Sequence, residues 1–326
     1  MKQILIEQTG PPSVVAQLHD AARPSLSPGQ VRLRMLFAPV NPADLNYSEG
    51  TYGKKPVLPA VPGIEGVGEI MEADGAHGLR AGQLAIPLSG MGCWSEEMVR
   101  PAAEVFVLPD GIDPRQAAML RVNPATAWGL LHSAGPLPAG AWVVQNAASS
   151  NCGHCVIQIA KHLGLRTLNL VRRAESAGAC LALGADAVLL DDTAAVAAAR
   201  ALPGFSAPVL ALNAVGGDSA IRLMDMLAPS GTMVTYGAMA RQPVKVPNGF
   251  LIFKDVRLRG YWLSRWLESA PAAEVRDVYN SVAALAASGV IRQAIAAEYP
   301  LTEIAAALRH AAGDARGGKV LLRIGG

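Results

Sequence analysis

The 326 residues carry 28 lysines and arginines against 26 aspartates and glutamates; half are apolar and 17% are charged. With a formal charge of +2 and no basic run or aromatic-interleaved basic patch, a nucleic-acid surface is excluded as the working reading. The length suits two domains, each with its own core.

The N-terminus, MKQILIEQTG, reads as a strand rather than a leader, and no apolar run reaches membrane length. The four cysteines (Cys93, Cys152, Cys155 and Cys180) form no paired framework, so a soluble protein of a reducing cytoplasm is expected. Up to about residue 110, short apolar runs alternate with proline and glycine: Gln3–Ile6, Gln30–Phe37, Gly66–Met71, Gln83–Pro87 and Glu104–Leu108. Close spacing of short strands argues for a β-barrel-like domain.

From Asp113 the texture changes to alanine-rich helical segments between apolar strands. A strand at Trp142–Gln145, a small-residue turn at Ala147–Gly153, a helix and a strand at Thr167–Val171 form the first βαβ unit. Then follow a helix (Glu175–Leu183), a strand (Val188–Leu190), a helix (Thr193–Ala201) and a strand (Val209–Asn213). A helix (Asp218–Leu227) and strands at Thr232–Tyr236 and near Val256–Trp262 complete a doubly wound parallel sheet. Two helices (Ala272–Ser288 and Thr302–Ala311) and a closing strand, Lys319–Arg323, are expected to return to the first domain. The expected division is therefore 1–115 completed by 270–326, and 116–269.

In an open α/β sheet, ligand binds beyond the carboxyl ends of the strands. Asn146, Arg172, Asn213 with Gly216 and Gly217, Tyr236 with Gly237, and Trp262 all stand at such ends. The turn carries Ala147, Ser149, Ser150, Asn151, Cys152 and Gly153, with one glycine of a three-glycine fingerprint. Hydroxyls and amides can donate to a pyrophosphate on the helix N-terminus, although an ordinary capping turn gives the same pattern. Arg172 and Arg173 follow the second strand where an NAD-binding unit places an acid, as a 2′-phosphate requires. Cys152 and Cys155 lie inside the turn and its helix and read as small helix residues.

A second informative stretch is NPADLNYSEGTYG, residues 41–53. It reads as a polar turn in which Asp44 or Asn46 bonds local backbone and Tyr52, beside glycines, either projects into a cleft or packs on the surface. PGIEGVGEI, residues 62–70, holds Ile64 where a zinc alcohol dehydrogenase of similar layout has a ligating histidine, and Asn41 stands near its catalytic cysteine. No metal site is expected. In NPATAW, residues 123–128, Thr126 either caps a helix start or contacts substrate or the nicotinamide carboxamide. His132, His154, His162 and His310 show no ligand spacing, and no GxSxG elbow is present.

These segments, with VVQNAASSNCGHCVIQIAKHLGLRTLNLVR, NAVGG, GTMVTYGAM and FKDVRLRGYWLSRW, resemble the medium-chain dehydrogenase/reductase superfamily over nearly the whole chain. Within it, the chain is similar to the zinc-free 2-enoyl thioester reductases. The resemblance implies a GroES-like β-barrel catalytic domain, a Rossmann domain, NADPH, and a homodimer through the Rossmann sheets. It implies Tyr52 as catalytic tyrosine and Asn41 and Thr126 lining the reaction site. Ala147–Gly153 would be the pyrophosphate turn and Arg172 the 2′-phosphate region. Tyr236, Gly237, Phe253, Lys254, Asp255 and Trp262 would surround the nicotinamide and acyl pocket. Asn151 and Cys152 depart from the Gly-Val pair usual in that turn; Arg173 adds charge. The implied activity is reduction of the double bond of a trans-2-enoyl thioester of CoA or acyl carrier protein. A quinone or enone reductase is the alternative, and a non-catalytic cofactor-binding protein the remote one.

Overall fold

The short apolar runs become strands β1 (Lys2–Leu5), β2 (Gln17–Asp20), β3 (Gln30–Pro39), β4 (Val67–Ala73), β5 (Leu84–Pro87), β6 (Glu97–Pro101) and β7 (Val105–Val107) in the computed structural model. There follow β8 (Trp142–Gln145), β9 (Arg166–Val171), β10 (Ala187–Leu190), β11 (Leu210–Asn213), β12 (Thr232–Thr235), β13 (Gln242–Val244) and β14 (Arg257–Gly260), then β15 (Ile295–Pro300) and β16 (Lys319–Arg323). The structure describes residues 1–73, 78–313 and 317–325. It divides into two units, 1–122 with 270–326, and 123–269.

In the first unit the sheet order is β15-β16-β3-β4-β5-β7, with β6 also paired to β3. The ten-residue β3 is its spine, antiparallel to β4, β6 and β16. Val31, Leu33 and Met35 alternate inward, as period-2 geometry demands, onto Ile4, Ile6, Ile70 and Trp94. The closing strand joins this sheet with Leu321 opposite Pro39 and Leu322 opposite Ala38, so the chain's last segment lies beside its first long strand.

The second unit is a six-stranded sheet, all of its pairs parallel, in the order β10-β9-β8-β11-β12-β14. This is the doubly wound dinucleotide-binding order, and it reverses between β8 and β11. Strands buried on both faces need continuous apolar runs, which Trp142–Val144 and Leu210–Leu212 supply.

Two local expectations fail. Residues 42–49 of the polar "turn" are a helix, Pro42–Glu49, because Asn41 supplies an N-cap, Pro42 a preset φ and Gly50 a left-handed end at φ 75°. Its lack of apolar periodicity hid it. The strand β15 was not anticipated either; it is fixed by its parallel pairing with β16, which is not local in sequence. Thr126 stands inside the helix Asn123–Leu131, buried, and therefore caps nothing.

Candidate active site

In the first unit, the helix Pro42–Glu49 carries the candidate tyrosine just past its C-terminus. The N–H groups of Thr51 and Tyr52 both return to the carbonyl of Asn46 (2.8 and 3.1 Å), wrapping the chain tightly around the helix end. Gly50 permits this wrap by its positive φ; a Cβ there would also come within 2.9 Å of Thr9. Tyr52 is half-buried with its ring against the core, whereas Tyr47, on the helix itself, is 8% exposed and is a core residue.

Beneath this helix lies a buried polar cluster. Asn41 Nδ2 donates to Glu65 Oε1 (2.8 Å), and Asn41 Oδ1 accepts from Lys319 Nζ on β16. Glu65 Oε2 accepts from the Val122 N–H (2.8 Å). Asp44 receives the N–H of Asn41 on one oxygen (2.8 Å) and that of Ile64 on the other (2.7 Å). The first of these is the backward bond of a capping box. Asn41, Asp44, Glu65, Lys319 and the neighbouring Arg121 are all buried. Arg121 donates to the carbonyls of Ile64 and Gly90.

Burial pushes Asp44 up to about 7 against the pull of its two backbone N–H donors. Burial raises Glu65 too, opposed first by Lys319. Cys93, beside this cluster, is pushed up by burial to about 12 and stays a thiol. Ile64 is buried with an aliphatic side chain, and among the described residues no group of three histidine, cysteine or acidic side chains could hold a metal. Lys319 and Arg121 escaped sequence reasoning, since nothing local marks a residue 278 positions away as the partner of Asn41.

In the second unit the turn after β8 opens the helix Asn151–His162. Ser150 is its N-cap and accepts from the Gly153 N–H (3.1 Å). Ala147 is left-handed at φ 49°. A Cβ at Gly153 would lie 2.6 Å from the Ala148 carbonyl and 2.8 Å from that of Ala147, so this position needs glycine for the helix to start so close to the strand. The start of this helix, with exposed Ser149 and half-buried Ser150 and Asn151, has the donor chemistry of an anion cradle. Tyr236, at the end of β12, faces Cys152 and Ser150; its hydroxyl is buried without a well-formed hydrogen bond. Burial, reinforced by the facing thiols Cys152 and Cys155, raises its pKa well above the usual phenol value, so it remains a neutral donor. An orphaned donor beside an anion cradle fits a dinucleotide.

Other strand-end residues serve the frame. Asn146 Nδ2 donates to Asn213 Oδ1 and Ser219 Oγ (both 2.8 Å), while its Oδ1 accepts from the Ala214 N–H (2.7 Å). Asn213 further accepts from the Gly216 N–H (3.0 Å) and donates to Thr235 (3.1 Å). These two buried amides bridge the point where strand order reverses and shape the turns there. Ser219 passes the chain on to Asp191, which pairs with Arg222 at 2.6 Å. Gly216 and Gly217, with φ 85° and 53°, admit β13: a Cβ on Gly216 would lie 2.6 Å from the Gln242 carbonyl.

At the end of β9, Arg172 is exposed, and Arg173 pairs with Glu175 at 3.3 Å. Gly237 lies against Ala214, with 3.0 Å between its would-be Cβ and the Ala214 carbonyl. Lys254 donates to the carbonyls of Met224 and Asp225, closing the C-terminus of the helix Gly217–Met226, and Asp255 pairs with Arg257 in the approach to β14. Phe253 is 87% exposed and Trp262 40% exposed. Gly129 lets the Tyr261 ring cross the helix that bears Thr126.

Comparison with known proteins agrees with both halves. Residues 27–110 match the alcohol dehydrogenase GroES-like domain, and residues 152–281 match the family described as zinc-binding dehydrogenase. The mitochondrial enoyl-[acyl-carrier-protein] reductase of Mus musculus is 39% identical over 299 residues, spanning 90% of this chain and 80% of that protein. The Homo sapiens enzyme of the same name is 37% identical over 92% of this chain and 82% of its own. Among solved structures, a putative NADPH:quinone reductase from Bacillus thuringiensis aligns with TM-score 0.91 at 28% identity, over 99% of this chain and 98% of that one. An enoyl thioester reductase mutant from Candida tropicalis aligns with TM-score 0.87 at 26% identity, over 99% of both chains. On these matches, and on the two domains already described, the chain belongs to the medium-chain dehydrogenase/reductase superfamily and, within it, to the family of the 2-enoyl thioester reductases.

Proposed function

We propose that this protein uses NADPH to reduce the carbon–carbon double bond of a trans-2-enoyl thioester, carried on CoA or on an acyl carrier protein. The observation that carries the reading is the identity of 37–40% with reductases named for enoyl-[acyl-carrier-protein]. A related structure of similar fold (TM-score 0.87, 26% identity) is named as a complex with NADP and crotonyl-CoA. When bound, the reduced nicotinamide supplies a hydride to the β-carbon of the enoyl group. Ser149, Ser150, Asn151, Cys152, Gly153 and Tyr236 hold the pyrophosphate region, and Arg172 neutralises the 2′-phosphate, with Arg173 adding charge beside it.

Negative charge then gathers on the thioester oxygen as an enolate, where hydrogen-bond donors matter most. Tyr52 gives its proton to the α-carbon, directly or through a water, and is the catalytic acid. Asn41 and Thr126 line the reaction site, Asn41 by ordering the tyrosine helix from below. Gly237, Phe253 and Trp262 bound the nicotinamide and acyl region. Two measurements test this reading. NADPH oxidation should proceed with crotonyl-CoA and longer enoyl-CoAs, and NADH should bind more weakly than NADPH. Tyr52→Phe should lower kcat by about 10²–10⁴-fold; unchanged turnover would reassign the acid.

The quinone reductase alternative is favoured by one observation, the TM-score of 0.91 to the Bacillus thuringiensis structure. Turnover of a small quinone in preference to every enoyl thioester would select it. As an oligomer we infer a homodimer joined through the free edge of β14, whose four residues are all exposed. The four cysteines are buried and form no disulfide among the described residues, which suits a reducing compartment such as the cytoplasm. Among the described residues, no helix is long and apolar enough to cross a membrane.

A further inference from the structure

The helix that presents Tyr52 anchors itself in the hydrophobic core through one buried side chain, Tyr47, with Leu45 packed at the core's edge. It is eight residues long, Pro42–Glu49, and its buried residues are Asp44, Tyr47 and Ser48. Isolated helices of this length do not persist in water, so tertiary ties must fix its position. Two such ties are polar and sit at its N-terminus: Asp44 spans the N–H groups of Asn41 and Ile64, and Asn41 is clamped between Glu65 and Lys319.

The clamp is directional. Its amide oxygen takes the ammonium and its amide nitrogen serves the carboxylate, so exchanging the two ends would set donor against donor and acceptor against acceptor. Glu65 is saturated on its other oxygen by the Val122 N–H. Lys319 belongs to β16, which is pinned in register to β3, the spine of the sheet. The cation therefore ties the tyrosine helix to the main sheet of its unit. It also faces two buried carboxyl groups, Glu65 and Asp44.

We propose that Lys319 is a positioning residue for the reduction, acting through Asn41 and Glu65 to hold the helix that delivers Tyr52. Replacing it by methionine keeps the stem and removes the charge, which leaves Glu65 buried without its cation and frees the Asn41 amide to turn. The tyrosine hydroxyl then shifts from the α-carbon it must protonate. Displacements of the order of 1 Å at such a group cost about 10²-fold in rate. The second unit, which holds the cofactor turn, is untouched.

This inference rests on Tyr52 being the acid, and the experiment separates the two. Steady-state kinetics with crotonyl-CoA, and NADPH binding by fluorescence, are measured for Tyr52→Phe, Lys319→Met and the double variant. Lys319→Met should lower kcat by about 10²-fold with NADPH affinity unchanged within twofold. In the Tyr52→Phe background it should cost less than threefold more, because both changes remove one step. Lys319→Arg, which keeps a cation for Asn41 Oδ1 to accept from, should retain at least tenfold more kcat than Lys319→Met, and stands in where that variant does not fold. Full turnover in Lys319→Met, additive losses with Tyr52→Phe, or a Lys319→Arg variant no more active than Lys319→Met would overturn the proposal. A Tyr52→Phe variant with normal turnover would instead sink the assignment of the acid.

Discussion

A carboxyl group buried among backbone N–H donors is pulled two ways, and Asp44 shows which pull prevails. Loss of hydration pushes it up to about 7, with nearby Glu65 pushing in the same sense, while the N–H groups of Asn41 and Ile64 and the Lys319 ammonium pull it down. Its folded pKa lies above the value of 3.8 for an exposed aspartate, so between pH 4 and 7 the folded protein holds a proton that the unfolded chain has lost. Stability from this group is therefore present in full below about pH 4 and falls as pH rises towards 7. Asp44→Asn abolishes that dependence at one position. The difference in unfolding midpoint between pH 5 and pH 8, from melts without nucleotide, should shrink, leaving the part that Glu65 contributes in the same direction. A pH dependence equal to that of the parent would assign the proton elsewhere. The variant is also less stable at every pH, because an amide NH₂ then meets one of the two backbone donors, a mismatch of about 1–3 kcal/mol.

At the scale of elements, the turn after β8 shows how little sequence is needed to hold a close approach. Gly153→Ala would place a methyl 2.6 Å from the Ala148 carbonyl, against main chain that has no room to yield. The helix start must then move away from the strand, at a cost of about 1–3 kcal/mol. NADPH affinity should fall at least tenfold by fluorescence titration, while the core of the first unit is unaffected. Retention of parental affinity would mean that the helix start takes no part in holding the phosphates. This turn was legible from sequence because its signals are local: an apolar run, small residues, a glycine and a helical period within thirty positions. The helix Pro42–Glu49 was not, although Asn41, Pro42 and Gly50 are ordinary start and stop signals, because its faces carry no apolar period to join them. Asn146 and Asn213 stood at the expected strand ends, but their commitment to each other became visible only when β8 and β11 were adjacent. The clamp on Asn41 was hidden for the same reason, its cation arriving on the last strand of the chain.

At the scale of the molecule, the parallel sheet ends on β14, and an edge strand presents unpaired backbone groups to any strand that can meet it. Beside it, Leu258 on β14 and Ile252 and Phe253 on the approach to it expose apolar surface, 87% for Phe253. Arg257 and Arg259 alternate with Leu258 along the strand, so a second copy running antiparallel would add its own edge and cover the leucine. Leu258→Asp places a charge on each side of the proposed two-fold axis, where like charges repel and neither is solvated as before. In light scattering after size exclusion, the parent should have the mass of two chains and the variant that of one, 33.9 kDa. NADPH binding should survive, since the turn after β8 lies three strands away in the sheet order. A variant that keeps the parental mass would move the interface away from this edge, and a monomeric parent would remove the homodimer altogether.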